Sequence, residues 1–339
     1  MSDGDAGNGE GTEGLDRDGE RTETDREEPL RYHVDGEIVP AGEATVSVRD
    51  RGFMYGDGAF ETLRVYGGDP FEWDAHRHRL GRTAETLGFG DAVPDDLRER
   101  VAETLAANDL EDAYCKVSVT RGAQPGKLTP DPDVDPTVVV YVAPLSRGGV
   151  DGEKPWDDPA TVQTVRTRRP PDSAVPADAK THNYLPGVLA RLELRRAATD
   201  EFAADEAVMR DPDGNVAEGA TSNLFFVDEG VLKTPSTDLP VLPGVTRSVV
   251  IDLAEREEFP VETGRYGVGD LREADEVFLT NSTWEIRPVT SVDGIDVGVG
   301  PMTKLLSRLF DERVEAACYA EESDDRGEQR EPDDRRSDE

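Results

Sequence analysis

The sequence has too few cysteines and histidines for a disulfide framework or a structural metal site. It contains two cysteines, Cys115 and Cys318, far apart in the chain, and four histidines. Disulfide-stabilised domains use cysteine much more densely, and zinc sites need cysteine or histidine ligands at short spacing. His76 and His78 are close together, but we interpret them as surface residues of a helix. We therefore expect no bound metal.

Long apolar segments are also missing. No run approaches the roughly 20 apolar residues that a membrane-spanning helix needs. The chain starts with Met1 and continues with an acidic, glycine-containing segment, which is unlike the basic and apolar start of a secretion signal. These features predict a cytoplasmic protein without a membrane partner.

Positive charge is in short supply. The chain has 38 Lys and Arg residues against 74 Asp and Glu residues, which gives a formal net charge of -36. A field of this sign repels the phosphates of nucleic acids and anionic membranes, so we expect neither as a partner. Acidic residues occur along the whole chain, which is typical of a protein adapted to high salt, where screening weakens self-repulsion.

Lysine is especially scarce. Lysines occur only at positions 116, 127, 154, 180, 233 and 304, whereas arginine supplies most of the positive charge. An amine that must lose its proton and attack a carbonyl cannot be replaced by a guanidinium, which stays protonated. Taken alone, Lys180 is best interpreted as a surface residue before a helix. The residues downstream of Lys180 favour a reactive amine instead.

The chain is predicted to contain two domains between acidic tails. Its 339 residues are enough for two hydrophobic cores, at roughly 100 to 200 residues per domain. Residues 1–29 and 320–339 have little to bury and are predicted to be disordered. We place an N-terminal domain at 30–145, a linker rich in Gly, Pro and Asp at 146–159, and a C-terminal domain at 160–319.

The N-terminal domain is predicted to mix strands with helices. Period-2 alternation indicates strands, and apolar residues three or four apart indicate helices. The predicted elements are a hairpin over 31–39, strands over 60–66, 113–121 and 137–142, a helix after Asp74 and a helix from about 95 to 108. Arg79 borders the apolar face of the first helix. Arg121 ends a strand, where a binding residue is well placed.

The C-terminal domain contains a carboxylate, a helix start and a polar turn that could serve one ligand. Glu218 follows a predicted turn over 211–215. A Pro-Gly pair precedes Val245 and Thr246, which leaves the first amides of the next helix free, the usual construction of a phosphate site. Simple helix capping is the alternative. A later strand ends in 280–283, a cluster of small polar residues.

Lys180 and these three features together match the requirements of pyridoxal phosphate. This cofactor needs a lysine that forms a Schiff base, an anion that keeps its ring nitrogen protonated, and fixed donors for its phosphate. Each feature alone is weak evidence. Their order and spacing are much more specific.

On these residues the sequence resembles the class IV aminotransferases, which are pyridoxal phosphate enzymes of fold type IV. The resemblance covers about 31 to 295. It is carried by segments 49–53, 55–64, 76–80, 119–122, 180–184, 216–225, 242–247 and 278–282. It implies an α/β (α+β) fold with a small N-terminal α/β domain and a larger C-terminal pseudo-barrel domain. It also implies an active site between the domains and a homodimer whose second subunit often closes the substrate pocket.

The resemblance also implies roles for individual residues. Lys180 would hold the cofactor and then shuttle protons, and Glu218 would pair with the pyridine nitrogen. The phosphate would be bound by Arg79, by the amides of Val245 and Thr246, and by Ser282. Tyr184 matches the position that contacts the ring hydroxyl of the cofactor.

Three chemistries share this family scaffold, and the sequence looks most similar to the aminodeoxychorismate lyases, which release 4-aminobenzoate and pyruvate for folate-type cofactors. The likeness is carried by 60–66, 180–185, 234–238, 263–266 and 280–282. Asn281 and Arg121 are the implied ligands of substrate carboxylates, although D-amino acid transaminases share the arginine.

Two other interpretations remain. The alternative enzyme is a class IV transaminase acting on branched-chain L-amino acids or D-amino acids with 2-oxoglutarate, and the segment 284–286 also suits that pattern. A non-catalytic binding protein that keeps the fold is the third possibility. The lysine, the carboxylate and the phosphate residues argue against it, because a degenerate pocket has no need of all three.

Overall fold

The computed structural model describes residues 29–147, 154, 156–199 and 202–319. The tails predicted over 1–29 and 320–339 lie almost entirely outside these residues, as does half of the linker predicted over 146–159. Their disorder and the linker boundary therefore stay predictions. The described residues form two β-sheets. Each half has a hydrophobic core of its own, and a further core joins Tyr66 and Phe71 to the second half.

The first sheet belongs to the N-terminal half. Its elements are β1 (Arg31–Val34), β2 (Glu37–Pro40), α1 (Arg51–Tyr55), β3 (Gly58–Tyr66), β4 (Asp69–Pro70), α2 (Trp73–Thr86), α3 (Leu97–Ala106), β5 (Ala113–Thr120) and β6 (Val138–Pro144). The strand order is β2-β1-β6-β5-β3-β4, and every pairing is antiparallel. The predicted hairpin, strands and two longer helices are confirmed, with small shifts at their ends.

Strands β3 and β5 present one face to the core and the other to the second domain. Ala59, Leu63 and Val117 are buried in the core beneath α2 and α3. Because successive side chains of a strand point to opposite faces, the alternate residues face away from this core. Thr62 and Lys116 are direct cross-strand partners on that opposite face. This face forms one wall of the cavity described below.

The second sheet belongs to the C-terminal half. Its elements are β7 (Ala160–Arg168), α4 (Leu185–Ala197), β8 (Glu206–Arg210), β9 (Val216–Gly219), β10 (Asn223–Asp228), β11 (Val231–Pro235), α5 (Val245–Arg256), β12 (Val261–Gly264), α6 (Val268–Arg272), β13 (Glu276–Asn281), β14 (Glu285–Val292), β15 (Ile295–Asp296) and α7 (Pro301–Val314), which continues as a π-helical turn over Glu315–Tyr319. The strand order is β12-β11-β10-β13-β14-β7-β8-β9, with β15 paired to β14. The sheet curls until β9 contacts β10 and β11. This half-barrel beside a smaller α/β sheet confirms the predicted fold.

Helices cover the curled sheet from outside. Helices α5 and α7 bury their apolar faces against Phe225 and Phe278 of β10 and β13. The helical spacing read in the sequence is confirmed for α5, because Val249, Val250 and Leu253 are all buried. Helix α4 packs on β7 and β8. None of the helices in the described part of the chain is long and apolar enough to cross a bilayer.

The loop before α4 joins the two halves by pairing with the free edge of β3. Ala59 and Thr181 form an antiparallel bridge, and the Phe60 amide donates to the Lys180 carbonyl at 3.0 Å. Gly56 ends α1 with a φ of 69°, and a Cβ at this position would lie 2.5 Å from Oδ1 of Asn183. Glycine is required there, because a side chain would push the lysine loop away from β3.

Candidate active site

A cavity of about 1180 Å³ lies between the two halves. The first half contributes Phe60, Thr62, Arg79, Tyr114 and Lys116 to its lining, and the second half contributes Lys180, Tyr184, Glu218, Val245, Thr246, Asn281 and Ser282. The structure thus brings together every residue that the sequence analysis assigned to cofactor binding. It also brings Asn281 to the cavity, but not Arg121.

Lys180 extends into the cavity from the loop before α4. Its Nζ donates to the hydroxyl of Tyr184 at 2.9 Å and lies 4.6 Å from the ring centroid of Phe60. Its backbone is fixed by Thr83, whose hydroxyl accepts from the Lys180 amide at 3.0 Å. Among the described residues no carboxylate forms an ion pair with this amine. An amine held by a phenol is available to react with a carbonyl.

Glu218 places a buried carboxylate in the same cavity. Its Oε1 lies 2.9 Å from Nε of Arg169, and its Oε2 accepts from the Leu242 amide at 2.9 Å and from Nδ2 of Asn223 at 3.3 Å. Burial raises the pKa of Glu218, while Arg169 and the Leu242 amide oppose that shift. The side chain is therefore held in one orientation by three donors.

An anion-binding cup lies at the start of α5. The first amides of a helix have no partner within the helix, and no side chain caps α5. Gly244 precedes α5, and a Cβ there would lie 2.0 Å from Oδ1 of Asn223, so only glycine permits this approach. Arg79 reaches the same place from α2, because its Nη1 donates to the Pro243 carbonyl at 2.9 Å. Arg79 and the first amides of α5, which are predicted to bind the phosphate, thus meet at one helix start, and Ser282 lines the same cavity.

Arg79 is held by a buried ion pair. Its Nε and Nη2 donate to the two carboxylate oxygens of Glu61 at 2.8 and 2.6 Å. Nδ1 of His76 lies 2.7 Å from the same carboxylate, and His76 is 3% exposed. The prediction that His76 is a surface residue is therefore wrong; His78 is exposed as predicted. Burial disfavours the charged form of Glu61, but Arg79 and then His76 outweigh it and lower its pKa to about 2.

Replacing Glu61 with glutamine is expected to destabilise the fold by about 3–5 kcal/mol, because it leaves the buried Arg79 charge without its partner. Since the pKa of Glu61 falls from 4.5 to about 2, this stabilisation is complete above the ordinary carboxylate pKa and is lost as the pH falls toward 2. Urea unfolding at neutral pH measures the difference. The exposed Glu255 gives the matched control, and equal stability of the Glu61→Gln and Glu255→Gln variants would contradict the pairing.

Asn281 and Arg121, the two predicted substrate ligands, have different surroundings. Asn281 lines the cavity, but its Oδ1 accepts from the Trp284 amide at 2.6 Å, so only its Nδ2 faces outward, with a 3.4 Å contact to the Thr221 carbonyl. Arg121 is 5% exposed and does not line the cavity. Its Nε donates to Asp57 at 2.8 Å. Arg121 is therefore paired with Asp57 in this structure, and its assignment to a substrate carboxylate stays a prediction.

Sequence reasoning missed three residues of the site. Phe60 and Lys116 line the cavity, and Arg169 binds Glu218. The alternation of β5 could have predicted the position of Lys116. Cys115 and Val117 are apolar and face the core, so Lys116 between them faces the opposite side of the sheet. Nothing in the spacing indicates the partner of Arg169.

These residues fit pyridoxal phosphate. The site offers an amine, a buried carboxylate, and a helix start with an adjacent arginine. The hydroxyl of Thr280, which also lines the cavity, is buried and has no hydrogen-bond partner. A curled half-barrel with this donor set defines a fold type IV pyridoxal phosphate enzyme.

Comparison with known proteins places the chain more narrowly. Residues 58–292 match the family model for amino-transferase class IV. The chain is 32% identical over 295 residues to the D-alanine aminotransferase of Listeria monocytogenes serotype 1/2a, with coverage of 85% of this chain and 98% of that protein. The chain therefore belongs to the class IV aminotransferase family, and its cofactor is pyridoxal phosphate.

Two solved structures show the range of the family. The branched-chain aminotransferase of the thermophilic archaeon Thermoproteus uzoniensis, solved with norvaline, superposes with a TM-score of 0.75 at 27% identity, over 86% of this chain and 96% of that chain. A Legionella pneumophila structure described provisionally as a 4-amino-4-deoxychorismate lyase superposes with a TM-score of 0.70 at 26% identity, over 80% and 96%. A branched-chain aminotransferase and a protein provisionally described as a lyase thus share this fold.

Proposed function

We propose that the chain is an aminodeoxychorismate lyase, which converts 4-amino-4-deoxychorismate into 4-aminobenzoate and pyruvate. The observation that carries this proposal is the polar and cationic wall that β3 and β5 contribute to the cavity. Thr62 and Lys116 face each other across β3 and β5, and Tyr114 lies on the same face. The proposed substrate has two carboxylates and suits this wall. A branched aliphatic side chain would instead require an apolar wall.

Each proposed role follows from the geometry of the site. Bound pyridoxal phosphate supplies an electron-withdrawing ring. Lys180 removes the proton from the substrate carbon that bears the amine, and the Tyr184 hydroxyl orients Nζ. Glu218 balances positive charge at the ring nitrogen. The start of α5 and Arg79 neutralise the phosphate.

Two further residues complete the phosphate and substrate assignments. Ser282 lines the same cavity and is proposed to add its hydroxyl to the phosphate site, and Nδ2 of Asn281 is proposed to donate to a substrate carboxylate. The neighbouring Thr283 hydroxyl donates to Oδ1 of Asn281 at 3.1 Å and fixes the amide plane. Asn281 therefore presents a donor rather than an acceptor to the cavity.

A class IV transaminase is the second candidate. It is favoured by the names of the Listeria relative and of the Thermoproteus uzoniensis structure, which are a D-alanine aminotransferase and a branched-chain aminotransferase. The two candidates share the steps assigned to Lys180 and Glu218. The lyase releases pyruvate from a single substrate. The transaminase instead transfers the amine of its substrate to a keto acid.

Replacing Lys116 with methionine is expected to raise KM for aminodeoxychorismate by about tenfold to a hundredfold, because a charged hydrogen bond contributes about 1.5–3 kcal/mol. The length of the side chain is kept, so kcat should change less than KM. Pyruvate release followed over a range of substrate concentrations measures both constants. Lys127, exposed on a loop, gives the control variant Lys127→Met. An unchanged KM in Lys116→Met would remove Lys116 from substrate binding.

We further propose a homodimer that works in a salt-rich cytoplasm. The described residues expose several large apolar side chains, among them Val48, Phe53, Leu128, Leu185, Val188 and Leu189. Phe53 and Val188 also line the cavity, so a second copy seated there would close it. Sedimentation in high salt should give twice the chain mass of 37.0 kDa. The product 4-aminobenzoate places the reaction in the biosynthesis of folate-type cofactors.

A further inference from the structure

Arg169 is the one cation in contact with Glu218 among the described residues. It follows the end of β7, on the same loop that carries Lys180. Its backbone amide donates to the Arg210 carbonyl at 2.9 Å, and its Nε also lies 3.1 Å from the Pro240 carbonyl. Arg169 is therefore anchored to β8 and to the segment before α5. These two contacts fix the position of Arg169 relative to Glu218.

Arg169 contacts Glu218 from outside the large cavity. It does not line the large cavity that holds Lys180 and Tyr184. Instead it lines a second cavity of about 40 Å³, which Glu218, Lys180 and Tyr184 also line and which has room for water. Because Arg169 contacts Glu218 and does not line the large cavity, we assign its effect on a bound cofactor to Glu218.

The charge of Glu218 depends on a small number of donors. A carboxylate that is fully removed from water takes up a proton, unless a cation and hydrogen bonds compensate for the lost hydration. Here the compensation comes from Arg169 on one oxygen, from an amide and a carboxamide on the other, and from the nearby charge of Lys180, while the charge of Glu206 opposes it. A neutral carboxylic acid at this place could not balance a positive charge on a facing ring nitrogen.

We propose that Arg169 is a positioning residue that keeps Glu218 ionised and aimed into the cofactor cavity, so that the reaction depends on an arginine that never touches the cofactor. This inference rests on the proposed role of Glu218. It does not depend on whether the overall reaction is a lyase or a transaminase reaction. Arginine suits the role because its guanidinium stays protonated in every accessible pH range.

The first test uses the apoprotein, which makes it independent of the reaction. In the Arg169→Gln variant, infrared difference spectra at neutral pH should show the carbonyl band of a protonated carboxylic acid. That band should be missing from the double variant Arg169→Gln/Glu218→Gln. It should also be missing from the control variant Arg168→Gln, because Arg168 donates to the Asp211 carbonyl at 3.3 Å and does not contact Glu218. A wild-type apoprotein that already shows a Glu218 acid band would overturn the proposal, even if the variant failed to fold.

The second test uses the holoenzyme with whichever substrate it turns over. Loss of Arg169 raises the pKa of Glu218 further. Activity should therefore be lost below the raised pKa, where Glu218 is neutral, and recovered as the pH rises through it. We expect kcat of Arg169→Gln to fall about tenfold to a hundredfold at neutral pH, and Arg169→Lys to restore the wild-type pH profile. A fall in kcat that is equal at every pH, without an acid band, would make Arg169 a structural residue only and reject the inference.

Discussion

Replacing Lys180 with alanine is expected to abolish turnover, by about 10⁴-fold or more, while the protein still folds. The amine supplies both covalent attachment of the cofactor and proton transfer, and both are lost in the variant. The fold should persist because the side chain of Lys180 makes a single hydrogen bond, to Tyr184. Turnover with added pyridoxal phosphate measures the first effect, and thermal unfolding of the apoprotein measures the second.

The matched control is Lys304→Ala, since Lys304 is an exposed lysine on α7 that does not line the cavity. It should keep wild-type activity and the visible absorbance of the covalently bound cofactor. The Lys180→Ala variant should lose that absorbance. If Lys180→Ala turned over substrate at the wild-type rate, the chemistry would have to be assigned to another amine.

Replacing Glu218 with glutamine is expected to lower kcat by about 10²–10³-fold while the cofactor stays bound. Removing one preorganised electrostatic group from an enclosed site typically has an effect of this size. Glutamine keeps the shape, and its one oxygen can accept from Arg169, but its amide nitrogen cannot accept from the Leu242 amide. It is also neutral and cannot balance a charge on the ring nitrogen. The phosphate cup at α5 and Arg79 is untouched, so affinity for pyridoxal phosphate should change little.

Steady-state kinetics and a cofactor titration separate these two effects. Glu262→Gln, an exposed carboxylate on β12, controls for the change of charge on an acidic protein. A Glu218→Gln variant with wild-type kcat would show that this carboxylate has no part in the reaction. A variant that no longer binds cofactor would show that Glu218 serves affinity instead.

Much of the site could be predicted because its residues follow local rules. Lys180 could be singled out because lysine is scarce in this sequence. Val245 and Thr246 follow a Pro-Gly pair, which is a local signal for a helix start. Strand alternation in β3 and β5 is equally local. The half-barrel itself was predicted through family resemblance, since no local pattern specifies how far a sheet curls.

The prediction for His76 failed because its partner lies elsewhere in the chain. His76 has the helical spacing of the buried face of α2, but Glu61, which makes its burial possible, lies on β3. The position of Arg121 after β5 likewise gave no sign of its partner, Asp57, which is 64 residues earlier. Buried ion pairs of this kind depend on tertiary placement, which a pattern in one segment does not contain.

The measurement that tests the proposed reaction most directly is a product assay on the purified enzyme in high salt with pyridoxal phosphate. One sample receives enzymatically generated aminodeoxychorismate, and parallel samples receive branched-chain L-amino acids or D-amino acids with 2-oxoglutarate. We predict equal amounts of pyruvate and 4-aminobenzoate from the first sample and little glutamate from the others. Glutamate formation without either of those products would contradict the lyase and make the chain a class IV transaminase.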